Sequence, residues 1–362
     1  MNYDDISLIP QYFSGASRSE MDTSVKFGPR TFKLPVIPAN MKCCIDFELA
    51  QWMSENDYFY ILHRFYDYDD VEAWLAKNKD LKTLSISVGV KDCDKKFLKR
   101  LAGNGIRVDY ITIDIAHGHC RAMNEMISFI KSLDFGYWNP ENGSAMKWRN
   151  YSPFIIAGNV GTADGANDLF HWGADCTKIG VGPGAACTTK LKTGFHTPMF
   201  SIMRAVKFGA RDYTNDFIDP QPVKKKYYIA DGGIKHNGDI AKALVAGATM
   251  TMAGRMFTEC CDSPADSIYN YKPIDNKPSL AYKSPIQKEK PKIIQKRYYG
   301  SASAKNKGHN NNVEGKEIIL DCNGMTYEDK LREIQQDLQS AMSYGGCDTL
   351  RDFSEVQYLH IS

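Results

Sequence analysis

Short apolar runs recur along the chain, at residues 34–38, 59–63, 83–88, 110–114, 154–157, 176–179, 227–230 and 249–253. Each is followed by a longer segment, and no other feature limits the possible folds as much. Parallel strands need a crossover between them, and a helix is the usual one. The segments 46–55, 69–77, 94–102 and 122–132 have helical period, and Asp46, Asp69 and Asp94 stand at their starts as N-cap candidates. A count of eight βα units predicts an α/β fold of the (β/α)8, or TIM, barrel type, whose usual size is about 250 residues before insertions. An open doubly wound sheet is the competing arrangement, and the strand count discriminates against it. The whole chain of 362 residues is read as a single domain, 1–362.

Barrel geometry assigns each loop a face, because segments after strands lie at the catalytic end. Residues 134–152 and 210–226 follow helices and are expected at the opposite end. Residues 256–315 follow the eighth strand and are expected to overhang the catalytic end as a mobile lid.

A formal net charge of +2, with 43% hydrophobic and 24% charged residues, lacks the basic excess that phosphate neutralisation requires, so nucleic-acid binding is excluded as the main role. The opening MNYDDISLIP carries acids where a signal peptide is basic, and no stretch reaches membrane-spanning length. The protein is read as cytoplasmic. Its ten cysteines form no CxxC pair and are read as mainly reduced packing residues.

The segment Lys178 to Lys190, KIGVGPGAACTTK, holds three alternating glycines, a proline and a cysteine. It nominally contains Gly180-x-Gly182-x-x-Ala185, close to a dinucleotide fingerprint. Such a loop should open directly into a helix, yet Pro183 interrupts it and the next clear helix is expected only near Pro198. The alternative is a sharp turn at the mouth of strand six, with inward carbonyls suited to a monovalent cation and Cys187 aimed at the barrel centre. Strand seven ends in Asp231-Gly232-Gly233 and strand eight in Gly254-Arg255. Backbone N–H groups in those two loops often hold a phosphate, and Asp231 suits ribose hydroxyls. A nucleoside monophosphate with its base toward Cys187 is expected.

The Gly-x-Gly-Pro-Gly-x-x-Cys-Thr-Thr loop and the downstream Asp-Gly-Gly turn resemble the IMP dehydrogenase/GMP reductase family, over almost the whole chain. Residues 113–119 (IDIAHGH), 299–303 (YGSAS), 312–316 (NVEGK) and Ser343-Tyr344 are similar to segments of its reductase branch. The dehydrogenases usually carry paired CBS modules after the second strand; only one helix separates His63-Arg64 from the strand at Thr83, so there is no CBS insert.

The resemblance implies reduction of GMP to IMP and ammonia with NADPH, through a covalent thioimidate, in purine salvage, by a homotetramer. It implies Cys187 as nucleophile and Thr189 with Glu314 as proton relay. It places Asp231, Gly232, Gly233, Gly254, Arg255, Gly300 and Ser301 against GMP. Ser17, Arg18, Arg64, Asp114, Ile115, Ala116, Val181 and Gly182 would contact NADPH, with residues 340–343 a weaker candidate. The carbonyls of Gly182, Gly184 and Cys187 would hold potassium. The chain departs from the family pattern at Ala185, Asn310 and Asn311, and its insertions at 134–152 and 273–292 are long.

Two alternatives stand beside this reading. A CBS-less IMP dehydrogenase would oxidise IMP to XMP with NAD and would need an Arg-Tyr base, for which Arg297-Tyr298 is available. A non-catalytic purine nucleotide sensor would need none of Cys187, Thr189 and Glu314. His117 and His119 are read as loop hydrogen-bonding residues rather than metal ligands, because no third ligand is in view. His171 is read as packing, and residues 224–226 as a solvated turn.

Overall fold

A computed structural model describes residues 1–15, 17–135, 152–209, 225–270 and 292–361. Between the second and third of these it adds only the backbone of a hairpin, Tyr137–Asn139 paired with Ser144–Met146. The insertions expected at 134–152, 210–226 and 273–292 therefore lie almost wholly outside the described residues.

Seven of the expected runs form one parallel sheet: β1 (Val36–Pro38), β2 (Ser85–Val88), β3 (Tyr110–Asp114), β4 (Phe154–Val160), β5 (Cys176–Ile179), β6 (Tyr227–Asp231) and β7 (Met250–Ala253). The spatial order is β1-β7-β6-β5-β4-β3-β2. The first strand pairs with the last, Thr251 facing Val36, so the sheet curls round on itself. Most of these strand residues are buried, as a parallel sheet covered on both faces requires.

The run at 59–63 differs from expectation. It contributes a single parallel bridge, Leu62 to Ile86, with the Leu62 N–H donating to the Ser85 carbonyl at 3.2 Å. Its side chains still alternate: Phe59 and Ile61 join the cluster inside the curl, while Tyr60 and Leu62 join the cluster between sheet and helices. Period two is the signature of an extended segment. Strand β4 runs three residues beyond the expected end, to Val160.

The helices fall close to their expected places, with shifts that trace to caps. Asp46 caps α1 (Phe47–Glu55) by accepting from the Leu49 N–H at 2.9 Å. α2 (Tyr68–Lys77) is capped by Asp67, not Asp69. α3 (Asp92–Gly103) starts two residues early, so Asp94 lies in its first turn and accepts from the N–H groups of Lys91 (2.8 Å) and Gly89 (2.7 Å). α4 is Arg121–Lys131 and α5 is Ala163–His171. A one-turn helix, Thr189–Thr193, follows the Gly-rich loop, and α6 (Met199–Phe208) starts after Pro198 as expected.

After β7 the chain builds an antiparallel sheet, β8 (Ser267–Tyr269), β9 (Ile293–Tyr299) and β10 (Glu317–Asp321), in that order. Among the described residues no helix is long and apolar enough to cross a membrane.

The N-terminal end of the curl is stoppered by a hairpin, Val25–Phe27 paired with Arg30–Phe32. The Phe27 ring, fully buried, lies 5.0 Å from Phe59, 6.0 Å from Tyr110, 5.1 Å from Phe154 and 5.6 Å from Tyr227. The last three are the first residues of β3, β4 and β6. The Tyr110 hydroxyl donates to the Phe27 carbonyl at 2.8 Å. Because this plug sits at the end opposite the strand C-termini, Phe27→Ala should lower unfolding free energy by about 3–5 kcal/mol. Chemical denaturation measures this, and ligand affinities of the folded fraction should stay within a factor of about two.

Candidate active site

The Gly-rich loop after β5 and the Asp-Gly-Gly turn after β6 interlock, which explains their glycines without a dinucleotide. Gly180 has φ +143°, and a Cβ there would stand 2.1 Å from the Asp231 carbonyl oxygen. Gly232 has φ +98°, and its Cβ would stand 2.8 Å from the Pro183 ring. Only glycine allows both the left-handed backbone and this approach.

The loops surround one cleft with two lobes. The first is lined by Cys187, Gly184, Pro183, Gly232, Gly254, Tyr298 and Gly300. The second is lined by Arg64, Asp114, Ile115, Ala116, Val181, Thr189 and Lys307. Asn159, Gly182, Asp231, Ser301 and Glu314 line both. Most of the residues singled out in the sequence are therefore neighbours in space.

Three of them form a chain of hydrogen bonds. The Cys187 thiol donates to Thr189 Oγ1 at 3.1 Å, and Thr189 Oγ1 donates to Glu314 Oε2 at 2.6 Å. Glu314 comes from 125 residues away in sequence and is held by its own backbone. The Thr188 N–H donates to the Glu314 carbonyl (2.8 Å), the Glu314 N–H to the Ala302 carbonyl (3.1 Å), and the Lys316 N–H to the Ala186 carbonyl (2.9 Å). Lys192 and Lys307 add side-chain bonds to the carbonyls of Val313 and Asn312. In the same loop the Cys187 N–H donates to the Gly184 carbonyl at 2.9 Å.

The wall of the second lobe includes a largely buried ionic network. Lys178, 3% exposed, points its Nζ at Asp231 Oδ2 (2.6 Å) and Asp114 Oδ1 (3.0 Å). Asn159 Nδ2 donates to the same Asp231 Oδ2 at 2.8 Å and to the Gly180 carbonyl at 2.7 Å. Burial opposes the Lys178 charge, but Asp114 and Asp231 outweigh it and hold the ammonium well above lysine's usual range. Burial would likewise raise the Asp114 carboxyl; Lys178 and then Arg64 hold it below the ordinary range. Arg64 Nε lies 3.8 Å from Asp114 Oδ2, and it is buried without a hydrogen bond.

Sequence reasoning passed over Lys178 and Asn159. The first had a visible signal, a charged residue inside the apolar run 176–179; the second lay beyond the expected end of β4.

Other singled-out residues lie apart from the cleft lining. Gly233, φ +79°, packs beside Met199 and Tyr3. Arg255 Nε pairs with Glu259 at 2.9 Å and lines a separate polar cavity with Lys235, His236 and Lys330. Ser17 and Arg18 stand against the late helix α7 (Tyr327–Tyr344), where Arg18 Nη1 donates to Ser340 Oγ at 3.2 Å. Arg297 Nη1 is 2.6 Å from Glu317 and off the cleft, while neighbouring Tyr298 is buried and lines the first lobe. His119 Nε2 lies 2.8 Å from Asp168 of α5. All ten cysteines are free, and five of them, Cys43, Cys44, Cys176, Cys260 and Cys347, are buried.

A family model described as "IMP dehydrogenase / GMP reductase domain" matches residues 1–362. The chain is 42% identical over 358 residues to a GMP reductase of Leptothrix cholodnii, covering 99% of this chain and 95% of the relative. It is also 42% identical to proteins of that name from Lacticaseibacillus casei, over 360 residues, and Staphylococcus carnosus, over 359. Those matches cover 99% of this chain and 94% and 95% of the relatives.

His63 directly precedes Arg64 of the second lobe in the chain. Its ring stacks on Tyr66 with centroids 4.1 Å apart, and its Nδ1 accepts the Phe65 N–H at 3.2 Å. Burial, with Lys42 adding, pushes its pKa down to about 4. The unfolded chain then binds the His63 proton at higher pH than the folded one. Stability contributed by neutral His63 should be full above pH ~6.5 and fall as pH drops toward 4. Denaturation midpoints of wild type and His63→Gln should therefore diverge in pH dependence across that window, the variant being flatter.

Proposed function

The chain belongs to the IMP dehydrogenase / GMP reductase family, and from that premise we propose that it converts GMP to IMP and ammonia with NADPH. The observation that carries this reading is the Cys187–Thr189–Glu314 hydrogen-bond chain lining the two-lobed cleft.

In this mechanism GMP occupies the first lobe, with its ribose against Asp231 and its purine C2 over Cys187. The thiol proton passes through Thr189 to Glu314 as sulfur bonds to C2. The same relay then returns that proton to the C2 amino group, which leaves as ammonia, and Cys187 is left as a thioimidate. Atoms balance, because the hydrogen lost by sulfur is the one gained by the amine. When bound, the nicotinamide supplies the hydride that replaces sulfur at C2 and frees IMP. The cofactor would lie in the second lobe, against Arg64, Asp114, Ile115, Ala116, Val181 and Gly182. The unsatisfied Arg64 Nε fits an oxygen-rich ligand there.

A potassium ion would suit the carbonyls of Gly182, Gly184 and Cys187, three neutral oxygens on one turn. Its chemistry would be to hold the nucleophile loop. Ser17 and Arg18 stand away from the cleft of their own chain, so their contact with NADPH would come from a neighbouring subunit of a homotetramer. Asp231, Gly232, Gly254, Gly300 and Ser301 would hold GMP. Gly233 and Arg255 would act from behind that turn.

The curled sheet is read as an eight-stranded barrel completed by residues 59–63, supported by their inward–outward alternation. The whole chain is one domain, and residues 256–315 are a lid that carries Glu314 to the sulfur. The ten free thiols accord with a cytoplasmic site.

The test follows NADPH absorbance with GMP and potassium present. Wild type should consume NADPH and release ammonia and IMP in equal amounts. Cys187→Ala should be inactive, and Thr189→Val and Glu314→Gln should lose about 10²–10⁴-fold in rate. NAD reduction with IMP, in place of NADPH oxidation with GMP, would overturn the assignment in favour of the dehydrogenase.

A further inference from the structure

Lys178 is the most buried charge in the cleft region and touches neither Cys187 nor its relay. From β5 it reaches one acid on either side, Asp231 at the end of the adjacent β6 and Asp114 at the end of β3, one strand beyond β4. Asp114 lines the second lobe, and Asp231 lines both. The ammonium engages a single oxygen of each, Oδ1 of Asp114 and Oδ2 of Asp231. Asn159 takes the same oxygen of Asp231, so Oδ1 of Asp231 has no partner among the described residues. Arg64 approaches the other oxygen of Asp114 at 3.8 Å.

We propose that Lys178 is a positioning residue for both ligands at once: it fixes the inner oxygen of Asp231 and of Asp114, so that each acid's outer oxygen is aimed into its lobe. The inference rests on the functional reading above, in which Asp231 holds the GMP ribose and Asp114 the cofactor. The physical ground is that two largely buried carboxylates held this close repel one another and rotate or protonate unless a cation lies between them. A lysine ammonium has three donors and two are used here, which leaves it tied to both acids rather than swinging between them. Arginine could keep the charge but would carry it on a wider, planar group.

The test measures equilibrium affinity for GMP and, separately, for NADPH, in a Cys187→Ala background that cannot turn over. Lys178→Met should weaken both ligands by roughly tenfold or more, the scale on which a lost buried charge partner is felt. Lys178→Arg should recover most of the NADPH and GMP binding. Double-mutant cycles then separate positioning from general damage. If Lys178 acts on GMP through Asp231, Lys178→Met added to Asp231→Asn should cost GMP affinity less than about twofold more, while still weakening NADPH. Added to Asp114→Asn, it should cost little further NADPH affinity while still weakening GMP. Additive losses in both cycles, or unchanged affinity in Lys178→Met, would overturn the proposal. A collapsed Lys178→Met is covered by Lys178→Gln in the same cycles, which removes the charge and keeps a donor. Failure of the Lys178-intact protein to bind either ligand would instead overturn the functional reading, and this inference with it.

Discussion

The chemistry proposed for this chain depends on a backbone contact: the segment around Glu314 lies against the Gly-rich loop that carries Cys187. Cys187 forms an antiparallel bridge with Gly315, and Ser303 a parallel one, so the late segment is threaded between the loop and the turn at Gly300. Without this contact Glu314 would be a surface carboxylate, and the Thr189 hydroxyl would have no acceptor. The Cys187–Thr189–Glu314 hydrogen-bond chain is thus a property of tertiary structure, although each of its members stands in a recognisable local motif. The three-stranded sheet after β7 gives the late segment a base, because β9 ends at Tyr299 directly before that turn.

A second constraint is electrostatic. Asp114, Lys178 and Asp231 come from β3, β5 and β6 toward the C-terminal ends of the strands of the curled sheet. Buried charges of this kind add little net stability, since desolvation offsets attraction. They do fix geometry, and removing one partner is costly because the others stay buried. The molecule separates these tasks by position: aromatic packing around Phe27 stabilises the N-terminal end of the strands, and polar groups occupy the C-terminal end. Loops there are restrained by glycines whose approach distances leave no room for a Cβ, as at Gly180 and Gly232.

Much of this was legible in the sequence because two periodicities were clean. Runs buried on both faces show as unbroken apolar stretches, and seven of them became strands within a few residues of their expected bounds. The run at 59–63 was legible as extended from its alternation, yet only one bridge forms there. Helix starts moved by one or two residues, and at α2 and α3 the reason is that the chain carries several acids close together. At Asp67-Tyr68-Asp69-Asp70 the first aspartate won the capping role, and Asp94 served one turn inside α3 instead of before it. The site was legible where motif residues cluster, as in Gly182 to Thr189. It was hidden where function depends on a contact made only on folding. Lys178 in an apolar run needed two acids from β3 and β6 to acquire meaning, and the distance from Ser17 and Arg18 to the cleft is set by the packing of α7.

The central claim is covalent catalysis by Cys187, and the most direct measurement is mass spectrometry of the Cys187 peptide after rapid acid quenching of the enzyme during turnover of GMP with NADPH. The account predicts a purine ribotide attached to Cys187 through C2 and lacking the amino group, present during turnover and absent once GMP is exhausted. An unmodified Cys187 throughout, with ammonia still released, would contradict it.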